Sequence, residues 1–199
     1  RFRDYPLIMS IDSLSVPLHQ AVKTLKEAPD GLYYALLYQG GMTCFDKEIE
    51  KYLPVRFDRP LKLKEIHDFC WYDGNLYLAT SQGLFESHPI RKKEGKDDFV
   101  LCTLNPEPLI KGKVANLCTD GKTNLYFSVD REKVMHYDFV TKKSALIREY
   151  NVVNRLFLRQ GYLWICRLWN DIVCYDLKTH KERVISLEGG DQSDFSNSY

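Results

Sequence analysis

The side chains best suited to hold a metal, move a proton or attack a substrate are five histidines and six cysteines: His19, His67, His88, His136 and His180, and Cys44, Cys70, Cys102, Cys118, Cys166 and Cys174. Zinc and redox sites draw on close pairs such as Cys-x-x-Cys, and none occurs. The histidines fall at scattered places along the chain, so their spacing predicts satisfied strand or surface residues and no metal site. No Gly-rich phosphate loop, Gly-x-Ser-x-Gly elbow or His-Glu-x-x-His helix is present. Paired carboxylates for glycoside hydrolysis must face each other across a cleft. The pair Asp97-Asp98 sits instead in a charged run, Arg91 to Asp98, that reads as a solvated loop. These patterns assign no catalytic residue and no cofactor. The cysteines read chiefly as small apolar side chains buried in strands, although an even count also suits disulfides. Cys166 and Cys174 flank a turn near Leu168 to Asp171, and the spacing places them opposite each other, within disulfide reach. Burial as two thiols is the competing reading. The same turn carries Arg167, Trp169, Asn170 and Asp171, and Trp and Arg are favoured at recognition sites because they combine area with directional bonding.

The elements that position these residues follow from composition and repetition. With 44% apolar and 13% aromatic residues, the chain can bury a core, and its Tyr and Phe content favours strands. Twenty-eight Lys and Arg against 27 Asp and Glu leave a net charge of +1, without the basic excess that nucleic-acid binding needs. The longest clean apolar run, Leu32 to Tyr38, is far short of the roughly 20 residues of a membrane helix. Any membrane contact or signal peptide would lie in parts of the protein outside this sequence.

One signature recurs four times at intervals of roughly 40–50 residues, as propeller blades do. A turn is followed by Leu, an aromatic ring and alternating apolar and small residues. The copies are Asp30-Gly31-Leu32-Tyr33-Tyr34-Ala35, Asp73-Gly74-Asn75-Leu76-Tyr77-Leu78, Thr123-Asn124-Leu125-Tyr126-Phe127-Ser128 and Gln160-Gly161-Tyr162-Leu163-Trp164-Ile165. The anchor residues Leu32, Leu76, Leu125 and Leu163 are expected at equivalent, largely buried places. Each copy has an apolar strand before it and two strands after it. Tyr-Asp-x-x-Thr occurs at 137–141 and again at 175–179, where Asp and Thr can bond their own backbone and hold a turn. Helical periodicity is absent. The sequence predicts an all-β chain of four four-stranded antiparallel β-propeller blades, at 22–57, 63–104, 114–150 and 151–187. Residues 1–21 are a blade lead-in or an outer strand, and 188–199 the lead-in to a further blade. Cys70 and Cys118 occupy equivalent positions and should share burial.

The stretch Asp73 to Phe85 (Asp-Gly-Asn-Leu-Tyr-Leu-Ala-Thr-Ser-Gln-Gly-Leu-Phe) resembles the two-component regulator propeller repeat. That repeat typically runs Asp-x-Gly-Asn-Leu-Trp-Ile-Gly-Thr, then Gly-Leu and an aromatic. Trp164 keeps the family's tryptophan, and Tyr33, Tyr77 and Tyr126 replace it. Ser13-Leu14-Ser15 and the segment Ser193 to Tyr199 look like the Ser-Leu-Ser-Asn-x-x-Val lead-in to a blade. The third copy departs from the pattern, with Lys122-Thr123 inserted and no glycine in Asp130-Arg131-Glu132-Lys133. The sialidase-type Asp box and the blade-ending tryptophan of quinoprotein dehydrogenases are missing.

The resemblance implies the periplasmic sensor region of a hybrid two-component system of gut Bacteroidetes. Its ligand would be an oligosaccharide from polysaccharide breakdown, it would have no enzymatic activity of its own, and any kinase would lie elsewhere. A structural or protein-interaction propeller is the second reading, a propeller glycosidase or lyase the third. With the first strand of each blade innermost, the loops between second and third strands share one face with the crossings between blades. That face carries the candidate ligand-binding residues Gln39, Gln82, Arg131, Arg167, Trp169 and Asn170. Trp169 packed on a neighbouring blade is the alternative. The expected arrangement is an open arc within a larger ring, completed by further blades of the same chain or by a second copy.

Overall fold

The computed structural model describes residues 8–11, 14–17, 22–38, 41–59, 61, 65–95, 97–168 and 171–186. Among them there is no α-helix, and the chain divides after Ile110 into two compact units. The first unit opens with a hairpin of β1 (Ile8–Ile11) and β2 (Leu14–Pro17). The first meander is β3 (Val22–Glu27), β4 (Tyr33–Leu37), β5 (Met42–Asp46) and β6 (Lys51–Phe57). The second is β7 (Ile66–Tyr72), β8 (Asn75–Thr80), β9 (Gly83–Glu94) and β10 (Asp97–Leu104), followed by the two-residue β11 (Ile110–Lys111). The second unit contains β12 (Val114–Thr119), β13 (Asn124–Val129), β14 (Lys133–Asp138) and β15 (Lys143–Glu149). Its other sheet is β16 (Val153–Arg159), β17 (Tyr162–Arg167), β18 (Asp171–Asp176) and β19 (Glu182–Ser186). Each meander is antiparallel, so the four blades expected from the repeat are present.

Blades one and two are less separate than the repeat suggests. β6 and β10 pair in parallel, with Val55 opposite Val100 and Phe57 opposite Cys102, which fuses the two meanders into one nine-stranded sheet. At the opposite edge Lys26 Nζ reaches Asp68 Oδ1 at 2.9 Å and also the carbonyl of Phe69, while Lys23 Nζ donates to the carbonyl of His67 at 2.9 Å. The run Arg91 to Asp98 is not the loop its charge suggests. It is the end of β9, a turn and the start of β10, with Arg91 pairing with Asp46 at 2.8 Å. Long charged side chains on an outer hairpin keep their heads in water while the backbone completes the ladder.

The faces pack by one rule. Leu76 and Leu78 of blade two join Tyr34, Leu36, Met42 and Cys44 of blade one in a single core. In the second unit, Leu163 and Ile165 of blade four join Tyr126 and Val134 of blade three. Because side chains alternate across a strand, Leu76, Leu125 and Leu163 lie on the opposite faces of their sheets from Tyr77, Tyr126 and Trp164. In both pairs the face that bears Tyr34 or Tyr126 in one blade meets the leucine face of the next.

Leu76, Leu125 and Leu163 are 0% exposed, as expected of anchors. Leu32 is buried at 9% but precedes β4, and the first copy is displaced by one residue. Tyr34 pairs with Cys44 as Trp164 pairs with Cys174, so Tyr34, not Tyr33, is the equivalent of the later rings. The tandem tyrosines conceal this shift in the sequence.

The first strand of every blade carries a register irregularity, between Val22 and Thr24, Ile66 and Asp68, Ala115 and Cys118, and Val153 and Arg155, one pair later in blade three than in the others. Such bulges increase local twist. None of the six cysteines forms a disulfide. Cys166 lies opposite Ile172, and Cys174 opposite Trp164, because the β17–β18 hairpin is centred one residue earlier than the spacing suggests. Cys70 pairs with Tyr77 and Cys118 with Tyr126, the equivalence expected, but Cys70 is buried and Cys118 only half-buried.

Candidate functional site

The second unit holds a cleft of about 600 Å³ between blades three and four. That is within the range of small-molecule sites, whereas the hollow beside Asp30 and Arg91 in the first unit, about 230 Å³, falls below it. One wall is built outward from the turn after β12. Asp120 Oδ1 accepts the backbone N–H groups of Lys122, Thr123 and Asn124 at 2.9–3.0 Å, and Oδ2 accepts Asn124 Nδ2 at 2.6 Å. Burial alone would raise the Asp120 carboxyl, but these hydrogen bonds outweigh it and hold it below the usual carboxylate range. The residues Lys122-Thr123, an insertion relative to the repeat, thus build this turn.

Asn124 spends its amide hydrogens on Asp120 and on Thr123 Oγ1, at 3.0 Å for the latter, which leaves its Oδ1 to accept from His136 Nε2 at 2.7 Å. The hydrogen-bond network therefore assigns His136 its Nε2–H. The His136 ring stacks on Tyr126, its cross-strand neighbour, with centroids 5.2 Å apart. Burial, and next the nearby Asp120 charge, push the Tyr126 hydroxyl up to about 12, so it is a protonated donor at neutral pH. From blade four, the Tyr175 hydroxyl and His180 Nδ1 share a hydrogen bond of 3.0 Å, and burial raises the Tyr175 pKa as well. Ala145, Ile147, Leu158 and Leu177 supply an apolar lining. Asp120 is the one carboxylate among the described lining residues, and its oxygens are already occupied. The cleft can stack and hydrogen-bond a neutral polar molecule.

His136 and His180 line the same cleft, contrary to the scattered placement read from their spacing. One stands in the middle of a third strand and the other in the turn after a third strand, so sequence distance hides their convergence. A signal existed. Asn stands before the anchor Leu in the second and third copies, and both asparagines accept from a third-strand histidine, Asn75 from His88 Nδ1 and Asn124 from His136 Nε2, each at 2.7 Å.

Of the residues selected from the sequence, Gln82, Arg131 and Arg167 lie elsewhere. Gln39, Trp169 and Asn170 are outside the described residues, as are His19 and the segment Ser193 to Tyr199. Gln82 donates from Nε2 to Glu65 Oε2 at 3.1 Å, and its backbone N–H donates to Thr80 Oγ1 at 3.1 Å. Arg167 is engaged with Asp171 through two hydrogen bonds, Nε to Oδ1 at 2.7 Å and a second from Nη2 to Oδ2. Arg131 has a φ of 63° beside Asp130 at 54°, two left-handed residues that make a tight turn without glycine. Its carbonyl accepts the N–H of Val153, which is itself paired with Arg167, so Arg131 and Arg167 flank the start of β16. These side chains stand at the loops between second and third strands, whereas Asp120, Gly161 and His180 stand at the turns of the opposite end of the sheets.

No family model matches the chain, and no curated protein matches it. Solved structures do match. Two describe the extracellular domain of one B. thetaiotaomicron protein, once as a one-component system and once as a hybrid two-component system. The first has a TM-score of 0.63 at 11% identity over 85% of this chain and 25% of that chain. The second has 0.60 at 14% identity over 97% and 25%. An auxiliary nutrient-binding protein of Bacteroides thetaiotaomicron matches with a TM-score of 0.59 at 17% identity, over 82% of this chain and 40% of that one. This chain therefore spans a quarter to two fifths of the length of these structures. The likeness establishes the propeller fold.

Proposed function

We propose that this chain is a ligand-binding propeller segment of an extracytoplasmic, periplasmic sensor, and that the cleft between blades three and four takes the ligand. The observation that carries this reading is the cleft itself. It has a stacked Tyr126–His136 pair fixed by Asn124 on one wall, a Tyr175–His180 pair on the other and aliphatic residues between them. Pockets with a few fixed polar groups on an apolar lining are the usual form of small-molecule sites. The likeness to a two-component extracellular domain and to a nutrient-binding protein supports a binding role over catalysis. An oligosaccharide suits such a cleft, since sugars offer apolar ring faces for stacking and hydroxyls for His, Tyr and Asn. Binding would act by favouring one of two arrangements of the sensor, which a kinase elsewhere in the protein reads.

Calorimetric titration with a panel of oligosaccharides, run beside a reducing-end assay, tests this reading. Binding without turnover is expected, and His136→Ala or Asn124→Ala should weaken it by about tenfold, the loss of one well-placed hydrogen bond. Affinity unchanged in both variants but lost in Arg131→Ala or Arg167→Ala would move the site to the loops between second and third strands. Product release would establish an enzyme.

A further inference from the structure

We infer that the face of blade four that bears Trp164 binds an acidic oligosaccharide, with sugar rings on Trp164 and Tyr162 and carboxylates or sulfates on the arginines around them. This site is separate from the cleft, which lies on the other face of the same sheet. One cross-strand row runs Phe157, Trp164, Cys174, Arg183, and the next Arg159, Tyr162, Asp176. The Asp176 N–H donates to the Lys181 carbonyl at 2.8 Å, which extends the second row to Lys181, and Arg155 shares the face from β16. Arg155, Arg159, Lys181 and Arg183 are all exposed. Asp176 is the one carboxylate among the described positions of this face, and its Oδ1 accepts the backbone N–H groups of Lys178 and Thr179 at 2.8 and 3.1 Å. Four cations against one carboxylate is a local excess in a chain whose charges nearly cancel, 28 against 27. The rings of Phe157 and Trp164 lie parallel, 3° between planes and 5.9 Å between centroids. Trp164, Tyr162, Lys181 and Arg183 border a groove of about 370 Å³, inside the range of small-molecule sites. Glu182 also borders it, but its oxygens are held by Arg148 and Tyr150.

The arginines set this face apart from its equivalents. Arg183 holds the register position of Leu53 in blade one and of Ala145 in blade three. Arg159 holds that of Ala28 and of Asp120. Leu53 is buried in the first core, and Ala145 lines the cleft. An apolar partner laid over blade four would strip four cations of water and supply no counter-charge, which is a costly burial. An anion supplies it. Guanidinium groups pair with planar oxyanions through two parallel hydrogen bonds, and the rings between them offer apolar area to a pyranose face. The ion pairs of this unit engage Lys133, Arg148 and Arg167, so among the described residues Arg155, Arg159 and Lys181 are open to a ligand. A nucleic acid is the poorer fit, because its phosphates call for a longer basic track than one blade carries.

Titration of the protein's tryptophan fluorescence with trigalacturonate, with its uncharged methyl ester and with a chondroitin sulfate disaccharide tests this site. At least one acid should bind saturably, and which one binds tighter tells carboxylate from sulfate. The methyl ester should bind about tenfold more weakly than trigalacturonate, and added salt should weaken the acids but not the ester. Arg159→Ala and Arg183→Ala should each weaken acid binding by about tenfold, the loss of one charge-assisted hydrogen bond. Both side chains are exposed, so the thermal midpoint should stay where it is. Equal affinity for acid and ester overturns the inference, as does the absence of saturable binding by either acid. Affinity lost in His136→Ala and unchanged in both arginine variants overturns it too, because the acid would then occupy the cleft. Tighter binding of hexathymidylate than of either acid overturns it in favour of a single-stranded nucleic acid. The arginine variants lie off the cleft, so failure here leaves the cleft reading untouched.

Discussion

The leucine at the centre of each repeat stands where truncation leaves a void that flanking strands cannot close. Leu76 packs with Leu78, Tyr34 and Phe69 in the core of the first unit. Leu76→Ala should therefore lower stability by about 2–5 kcal/mol, read as a shift of the urea midpoint. An unchanged midpoint would contradict its place in the core. Leu32→Ala should cost less, since Leu32 lies outside β4 and can be partly replaced by movement of the preceding turn. The thiols give a second test at this scale. Desolvation pushes Cys44 and Cys102 up to about 12. At pH 8 in native protein neither should react with an aromatic disulfide reagent, because the thiolate is the nucleophile. The half-buried Cys118 and Cys166 should react first. Rapid modification of Cys44 without denaturant would show that the first core opens locally.

At the scale of elements, two turns make opposite predictions. Gly83 begins β9 with φ 154°, and a Cβ there would lie 2.3 Å from the Ile110 carbonyl oxygen and 2.6 Å from Pro108 Cβ. Backbone cannot yield as a flexible side chain would, so Gly83→Ala should destabilise by about 1–3 kcal/mol, measured by thermal unfolding. Arg131→Gly should do the reverse. Two consecutive left-handed residues are what a tight hairpin turn requires, and glycine adopts that conformation without steric cost, so a gain of about 0.5–1 kcal/mol is expected. If Arg131 also contacts ligand, the same variant gains stability and loses affinity, which separates the two roles. These turns also show what the sequence conveys and what it withholds. The strands around Leu76, Leu125 and Leu163 were legible because alternation and Gly turns are local. The one-residue displacement at Tyr33–Tyr34, the parallel pairing of β6 with β10 and the bulge in every first strand were not, since each depends on which strand lies alongside. The cleft was hidden for the same reason: Asn124 and His136 are near in sequence, but Tyr175 and His180 reach them only through the stacking of blades.

For the whole molecule, near-balanced charge means that global repulsion is small at neutrality, and pH dependence is set by local shifts. The acid side is governed by a repeated device. Asp46, Asp138 and Asp176 each end a third strand and accept two backbone N–H groups of the following turn, and Asp120 accepts three. For Asp138 and Asp176 those backbone bonds are the leading cause of a lowered pKa. At Asp46, burial opposes the shift, and its backbone bonds and Arg91 overcome it. Groups with depressed folded pKa values contribute stability above the unfolded carboxylate value of about 3.9 and lose it as pH falls through the folded values. The alkaline side belongs to buried rings and thiols. Desolvation raises Tyr34 and Tyr150, takes Tyr126 to about 12 and takes Cys44 and Cys102 to about 12. Their contribution is complete below the unfolded values, about 8.5 for thiols and 10 for phenols, and is lost as pH rises through the folded ones. Between pH 10 and 12 the unfolded chain therefore holds fewer protons than the folded one, and each missing proton lowers stability by about 1.4 kcal/mol per pH unit. Urea midpoints should form a plateau from about pH 5 to 8, decline gently below it and drop steeply above pH 10. Tyr126→Phe should flatten the alkaline limb without moving the acid one, and Asp120→Asn should flatten the acid limb alone. An alkaline limb with the same slope in Tyr126→Phe would mean that this ring is not desolvated in the native protein, and that the wall of the cleft it forms is open to water.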